Sequence, residues 1–231
     1  KRFNPKPRYN MIKIKDYSKN KGKLSLTTDM PISLANAIRR SVLEIPAMGI
    51  DEVEIFKNDS ALYDEIIAHR LGLIPIKTLK TSKEQKFKLQ AVGPKTVFAT
   101  DIKPSIDVDF KIPIVILEDG QEIEMVMEAR LGKGIEHLKY SPGLAFYSYD
   151  LDDDVLDYVH VDENGKVTYD DEELKAKKVP EEQQKKIKSV KEAKNIIFNL
   201  ESWGQMEVKD IFLNAIDALD DNLTELGKAV K

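Results

Sequence analysis

Two residues on one predicted helix have the chemistry to bind a metal ion. Glu65 and His69 lie four positions apart within residues 61–71, and this spacing places both side chains on one helix face. A carboxylate and an imidazole are common metal ligands, but two ligands do not complete a site. The acidic run 152–154 could supply more oxygens. A metal-dependent hydrolase that uses Glu65, His69 and these acids is therefore one hypothesis, and an ordinary surface contact explains the same spacing.

Most other catalytic chemistries are excluded by composition. The sequence contains no cysteine, so disulfides, thiolate zinc sites, Cys-ligated iron–sulfur clusters and Cys nucleophiles are ruled out. Residues 132–134, Gly-Lys-Gly, lack the spacing of a phosphate-binding loop, and no serine stands in a Gly-x-Ser-x-Gly motif. We therefore expect no active site of the chain's own, no bound metal and no cofactor.

The charge is distributed unevenly along the chain. The 231 residues include 36 Lys and Arg and 40 Asp and Glu, which gives a formal net charge of −4. Residues 1–23 contain nine Lys or Arg and one acid, whereas residues 150–192 contain 14 acids and eight Lys. A basic terminal segment is typical of a solvated tail or of an arm that binds nucleic acid. A small nucleic-acid-binding module is thus a further hypothesis, with residues 1–10 as a flexible basic leader.

No stretch of the sequence is long enough and apolar enough to cross a bilayer. The longest apolar runs, 112–117 and 195–200, have the length of strands, whereas a membrane span needs ~20 residues. We expect a soluble, cytoplasmic protein that has no contact with a membrane.

The hydrophobic pattern predicts an α+β fold with an insertion. Alternating residues predict a strand pair within 11–27, and a four-residue apolar repeat predicts a helix over 34–42. A mostly antiparallel block of strands follows, with a second helix over 61–71. A buried strand at 196–200 and a long helix at about 207–230 complete the chain.

Two helices favour an interaction scaffold over an enzyme. Arg39 and Arg40 are adjacent on the first helix, so one can face inward while the other faces out, and arginine suits bidentate pairing with carboxylates. The last helix is long for a chain of this size, and its apolar face is wide. A face of that width can pack on the chain's own core and on a second protein together.

Several stretches resemble a known family. Residues 34–43 (LANAIRRSVL) and 45–55 are similar to the first helix region of the alpha-like subunits of multisubunit RNA polymerase. Residues 58–76 (NDSALYDEIIAHRLGLIPI) more specifically resemble the larger archaeal member of these subunits, which is designated by the letter D. Residues 198–204 (FNLESWG) resemble the strand before its final helix. Shorter similarities are found in the middle of the chain, at 93–97, 112–115 and 129–134.

The resemblance implies a non-catalytic assembly subunit. A dimerisation domain built from both chain ends would pair with the small alpha-like subunit, called L in archaea. The heterodimer would then recruit the second-largest catalytic subunit and the small subunits N and P for DNA-templated transcription, and would meet nucleic acid only through the complex. Because the family's helix-one arginine pair is linked to binding the large beta subunit, Arg40 is expected to make that contact, with Arg39 the weaker candidate.

The same resemblance, combined with the apolar helix positions, predicts the subunit-interface residues. They are Leu34, Asn36, Ile38, Arg39, Arg40, Val42, Val208, Ile211, Phe212, Ala215, Leu219, Leu223 and Leu226.

The chain departs from the family in one segment. Many of the archaeal D-type subunits carry a further small domain before the final strand, some with a Cys-ligated iron–sulfur cluster. Here that segment is acidic and has no cysteine, so it is predicted to be a reduced domain without a cluster. The predicted domains are the leader 1–10, a dimerisation domain from 11–46 and 195–231, an inserted antiparallel β domain 47–150, and the acidic insertion 151–194.

Overall fold

The computed structural model describes residues 12–79, 81–162 and 165–230. The chain forms two compact units. Among the described residues, the first contains 12–18, 23–37 and 145–200, and the second contains 19–22, 38–144 and 201–230. The predicted leader 1–10 lies outside the described residues.

A four-stranded sheet organises the first unit. Its order is β1-β2-β11-β8, where β1 is Ile12–Ser18, β2 is Lys23–Thr28, β8 is Gly143–Tyr149 and β11 is Ile196–Ser202. Burial alternates along β2 and β11, as expected for strands that cover a core on one face. The Ser25 hydroxyl donates a 2.6 Å hydrogen bond to the Asn199 side chain and ties the two central strands together.

The acidic segment between β8 and β11 has a small core of its own. It contains α3 (Asp153–Leu156), a short hairpin of β9 (His160–Val161) and β10 (Val167–Thr168), α4 (Asp171–Ala176) and α5 (Glu181–Ser189). The buried side chains of this core are Val155, Leu174, Val179 and Ile187. Strands β9 and β10 pair in the antiparallel direction.

The second unit contains the larger core. Antiparallel strands β3 (Pro46–Asn58), β4 (Gln85–Val92) and β7 (Glu122–Lys133) form a sheet of order β3-β7-β4. Strands β5 (Lys95–Phe98) and β6 (Pro113–Leu117) form a separate pair, and α2 (Asp64–Gly72) contacts both β3 and β6. Apolar residues from these elements form one continuous buried cluster. The predicted α+β fold class is confirmed.

Two more helices complete the described chain. The first, α1 (Ile32–Ser41), continues directly into a 3-10 turn, Val42–Glu44. The second, α6 (Val208–Ala229), has 22 residues and packs against that turn. In the part of the chain that the structure describes, no helix is long and apolar enough to span a membrane.

Some predicted boundaries were wrong because turn residues compete for the same hydrogen bonds. The predicted second helix begins at Asp64 and not at residue 61, since the Asn58 side chain accepts a hydrogen bond from the Ser60 backbone N–H and holds a turn there. The predicted first helix begins at Ile32, two residues before the expected start at residue 34. The division into leader, dimerisation domain, inserted domain and acidic insertion stays a prediction.

Candidate subunit interface

An apolar stripe on α6 continues beyond the region that the chain itself covers. Val208, Ile211 and Ala215 on the N-terminal half are buried. The stripe then continues at alternating three- and four-residue steps through the C-terminal half, where most of its members are exposed; it contains Ile216, Leu219, Leu223, Leu226 and Val230. Apolar residues at this spacing form the contact line along which two helices pack together.

The exposed part of this stripe is large. Leu223 is 58% exposed and Leu226 is 61% exposed. Residues 216–230 form about four helical turns, which is about 22 Å of helix. Soluble chains seldom leave so long a run of large apolar side chains in water without a partner. Of the predicted interface residues on α6, Phe212 and Leu219 are half-buried, and Leu223 and Leu226 are the two that are available to a second protein.

The predicted interface residues at the other end of the chain lie on α1 and its 3-10 turn. Ile38 and Val42 are buried, so they stabilise the chain's own core. The other side chains on α1 are accessible to different degrees: Leu34, Asn36 and Arg39 are half-buried, and Arg40 is exposed.

Arg40 is exposed at the end of α1, and the first acidic side chain after it in the sequence is paired elsewhere. That acidic residue is Glu44, which lies in the 3-10 turn following α1. The Glu44 carboxylate accepts a 3.3 Å hydrogen bond from Lys133 Nζ. Within the described residues, no ion pair involves the Arg40 guanidinium.

Strand β1 presents a second exposed apolar patch. Ile12 pairs with Thr28 and Ile14 pairs with Leu26 across the strands, so all four side chains project from the same face of the sheet. Leu26 and Thr28 are buried, whereas Ile12 and Ile14 are exposed. The alternation of Ile12 and Ile14 predicted a strand but gave no reason to expect that this edge would be uncovered.

A charged network in the second unit was not predicted. The Asp51 carboxylate accepts hydrogen bonds from Arg130 Nε at 2.5 Å, from Lys139 Nζ at 2.7 Å and from the Tyr140 hydroxyl at 2.7 Å. The hydrogen bonds from Lys139 and then Arg130 hold the pKa of Asp51 well below its usual range. Burial, reinforced by the hydrogen bond to Asp51, raises the pKa of Tyr140. At neutral pH the carboxylate is therefore charged and the phenol is neutral.

A β-bulge places Asp51 in this network. The register between β3 and β7 shifts between Ile50 and Glu52, so Asp51 is the extra residue in β3. The Tyr140 ring fits over Gly132, where an added Cβ would lie 2.6 Å from ring atoms. A larger residue at position 132 would therefore collide with the ring.

The residues of the hydrolase hypothesis do not form a metal centre in the described part of the chain. Glu65 and His69 are both exposed on α2. Asp152 forms a 2.7 Å ion pair with Lys186. Among residues 12–79, 81–162 and 165–230, no group of three or more His, Asp or Glu side chains could hold a metal ion.

Comparison with known proteins decides the family. The family model of the RNA polymerase Rpb3/Rpb11 dimerisation domain matches residues 26–223. The chain belongs to this family. The match includes α1 and α6 as far as residue 223, and it confirms the resemblance to alpha-like polymerase subunits that the sequence predicted.

Three archaeal proteins illustrate the similarity. The DNA-directed RNA polymerase subunit Rpo3 of Thermococcus kodakarensis is 34% identical over 245 residues, which cover 88% of this chain and 93% of the relative. The Rpo3 subunit of Archaeoglobus fulgidus is 30% identical over 269 residues, with 97% and 98% covered. The Rpo3 subunit of Pyrococcus horikoshii is 40% identical over 156 residues, which cover 60% of each protein. These relatives favour a polymerase subunit over the hydrolase and the free nucleic-acid-binding module.

Proposed function

We propose that this chain is the non-catalytic assembly subunit of an archaeal DNA-directed RNA polymerase, and that it forms a heterodimer with the small alpha-like subunit L. One observation carries this proposal: the apolar stripe of α6 is buried up to Ala215 and then continues, mostly exposed, for about four turns. A chain that pairs with a second helix-bearing subunit needs such a face. The family match to a dimerisation domain supports the same conclusion.

The second role is recruitment of the second-largest catalytic subunit, with Arg40 as the contact. Arg40 is exposed at the end of α1, and its i+4 neighbour Glu44 is paired with Lys133. A guanidinium in that position can pair with a carboxylate of the partner through two parallel hydrogen bonds. Subunits N and P then join the assembled platform. The polymerase acts on cytoplasmic DNA, and the chain has no catalytic residue and no cofactor of its own in this proposal.

Co-expression with subunit L of the same organism tests the heterodimer. We expect a stable 1:1 complex in size-exclusion chromatography with light scattering. A chain that remains folded and monomeric beside an excess of subunit L would contradict the proposal.

A pull-down with the second-largest subunit tests Arg40. Arg40→Ala should leave the heterodimer intact and weaken capture of the large subunit, because the exposed guanidinium is lost without a change in the core. Arg39→Ala is the matched control on the adjacent, half-buried position and should have the smaller effect. Equal capture by Arg40→Ala and the parent chain would reject the role of Arg40.

A further inference from the structure

The loop that follows β7 carries two large apolar side chains that the chain does not cover. In residues 134–141, called the 134–141 loop, Ile135 is 65% exposed and Leu138 is 73% exposed. The backbone N–H of His137 donates a hydrogen bond to the carbonyl of Lys133, four positions earlier. This hydrogen bond makes the start of the loop a compact turn. Two large apolar side chains are therefore exposed within four residues of one short loop.

The base of this loop is fixed by several interactions. Lys139 and Tyr140 bind the Asp51 carboxylate, and the Tyr140 ring is buried over Gly132. The Gln205 side chain donates a 3.2 Å hydrogen bond to the Lys139 carbonyl. An apolar tip on an anchored base needs little ordering when a partner binds, which lowers the entropic cost of association.

The loop lies against the end of the first helix. The backbone N–H of Ile135 donates a 3.1 Å hydrogen bond to the Leu43 carbonyl. A Cβ added at Gly134 would lie 3.0 Å from a Leu43 methyl carbon and 3.2 Å from its Cα, so the two backbones are in close contact. Leu43 is in turn three positions after Arg40, and residues three apart share a helix face. Arg40, Leu43 and the tip of the loop are thus neighbours on one surface.

Charge on this surface also points to a particular kind of partner. Lys133 is paired with Glu44, Arg130 is paired with Asp51 and lies 3.5 Å from Glu136, and Lys139 is paired with Asp51. The exposed guanidinium of Arg40 takes part in none of these ion pairs, so it can bind a carboxylate of another protein. An arginine beside apolar anchors is the composition typical of energetically dominant interface residues.

We propose that Ile135 and Leu138, together with Leu43 and Arg40, form a docking surface for the second-largest catalytic subunit of the polymerase. This inference rests on the proposed function, because it extends the surface on which Arg40 meets that subunit. The partner would present an apolar pocket for Ile135 and Leu138 and a carboxylate for Arg40. The apolar part supplies affinity by excluding water, and the ion pair fixes the orientation.

Binding of the heterodimer to the isolated second-largest subunit tests this surface. The variant combines Ile135→Ser and Leu138→Ser, and the matched control is Ile116→Ser, since Ile116 on β6 is 64% exposed and lies on a different element. We expect the Kd for the large subunit to rise at least tenfold in the double variant and to stay within twofold in the control. Pairing with subunit L and the melting temperature should be unchanged in both.

A second readout does not depend on the strength of binding. A photoreactive amino acid in place of Leu138 should crosslink to the second-largest subunit in the assembled complex, whereas the same group in place of Ile116 should not. Crosslinking of position 138 to subunit L or to a second copy of this chain would overturn the inference.

The outcomes separate this inference from the proposed function. Loss of capture in Arg40→Ala with full capture by the Ile135→Ser, Leu138→Ser double variant would reject the loop and leave the proposed function intact. Failure of the parent heterodimer to capture the large subunit at all would reject the proposed recruitment role and the loop with it.

Discussion

The two halves of α6 carry the same apolar stripe and have opposite surroundings. In the N-terminal half, Ile211 and Ala215 are fully buried by the chain itself. In the C-terminal half, Leu223 and Leu226 are mostly exposed. Both halves have apolar residues at three- and four-residue steps, so the difference between them lies in what covers the helix. The comparison teaches that one continuous pattern can encode a core and an interface in succession.

The largest expected effect separates the two halves directly. Ile211→Ala should lower the free energy of unfolding by about 2–5 kcal/mol, because it leaves a cavity in a packed core. Leu223→Ala should change it by less than about 0.5 kcal/mol, because the side chain is already in water. Urea unfolding of the two purified variants measures both values. Equal losses would show that both halves belong to the chain's own core.

The same contrast between a covered base and an uncovered tip is found in the 134–141 loop, and Asp51 supports its base. Asp51→Asn should destabilise the chain by about 1.5–3 kcal/mol at pH 7, since the charged hydrogen bonds from Lys139 and Arg130 are weakened. The control Asp119→Asn lies in an exposed turn and should have little effect.

The Asp51 contribution should also depend on pH. The folded-state pKa of Asp51 is lowered, so its contribution is fully present above the unfolded-state value of about 3.9 and is lost as the pH falls toward the folded value. The difference in unfolding free energy between the parent and Asp51→Asn should therefore be constant from pH 5 to 8 and shrink below about pH 4. A difference that persists undiminished to pH 2 would contradict this assignment.

Gly132→Ala tests the packing of the same base. The added methyl group would overlap the buried Tyr140 ring, and overpacking of this kind costs about 1–3 kcal/mol. A rise in unfolding rate and a lower melting temperature would report the strain. A neutral result would mean that the ring shifts freely, so that the base of the loop is not anchored by Tyr140.

Much of the fold could be predicted because its signals are local. The 3.6-residue periodicity of α6 predicted a helix over about 207–230, and the structure places it at Val208–Ala229. The helix α5 (Glu181–Ser189) lies in a polar segment whose periodic pattern is too weak to mark where the helix ends.

The candidate site was predicted only in part, because burial depends on distant residues. The helix pattern identified Leu223 and Leu226 but did not separate them from the buried Ile211. The network at Asp51 joins residues up to 89 positions apart through a bulge, and no local signal marks it. Ile135 and Leu138 lie in a loop without periodicity, so only the described structure revealed their exposure.

The smallest expected effect concerns the acidic insertion, which covers its own small core. Lys178 has a left-handed backbone conformation, with φ of 51°, two residues after the end of α4. Its neighbour Val179 donates to the Leu174 carbonyl, which is the hydrogen bond that closes a helix at this kind of terminus. Lys178→Gly should therefore stabilise the chain by about 1 kcal/mol, because glycine adopts this conformation without steric cost. Thermal unfolding measures the gain, and a lower melting temperature would contradict it.

The central claim is that the uncovered half of α6 is the heterodimer face, and the affinity for subunit L tests it most directly. Leu223→Asp and its control Leu213→Asp change the same residue type on one helix at equal exposure, 58% and 57%, about 80° apart around the axis. Calorimetric titration with subunit L should give a Kd at least 100-fold weaker for Leu223→Asp and within about threefold of the parent for Leu213→Asp. Equal affinity of both variants and the parent would contradict the claim.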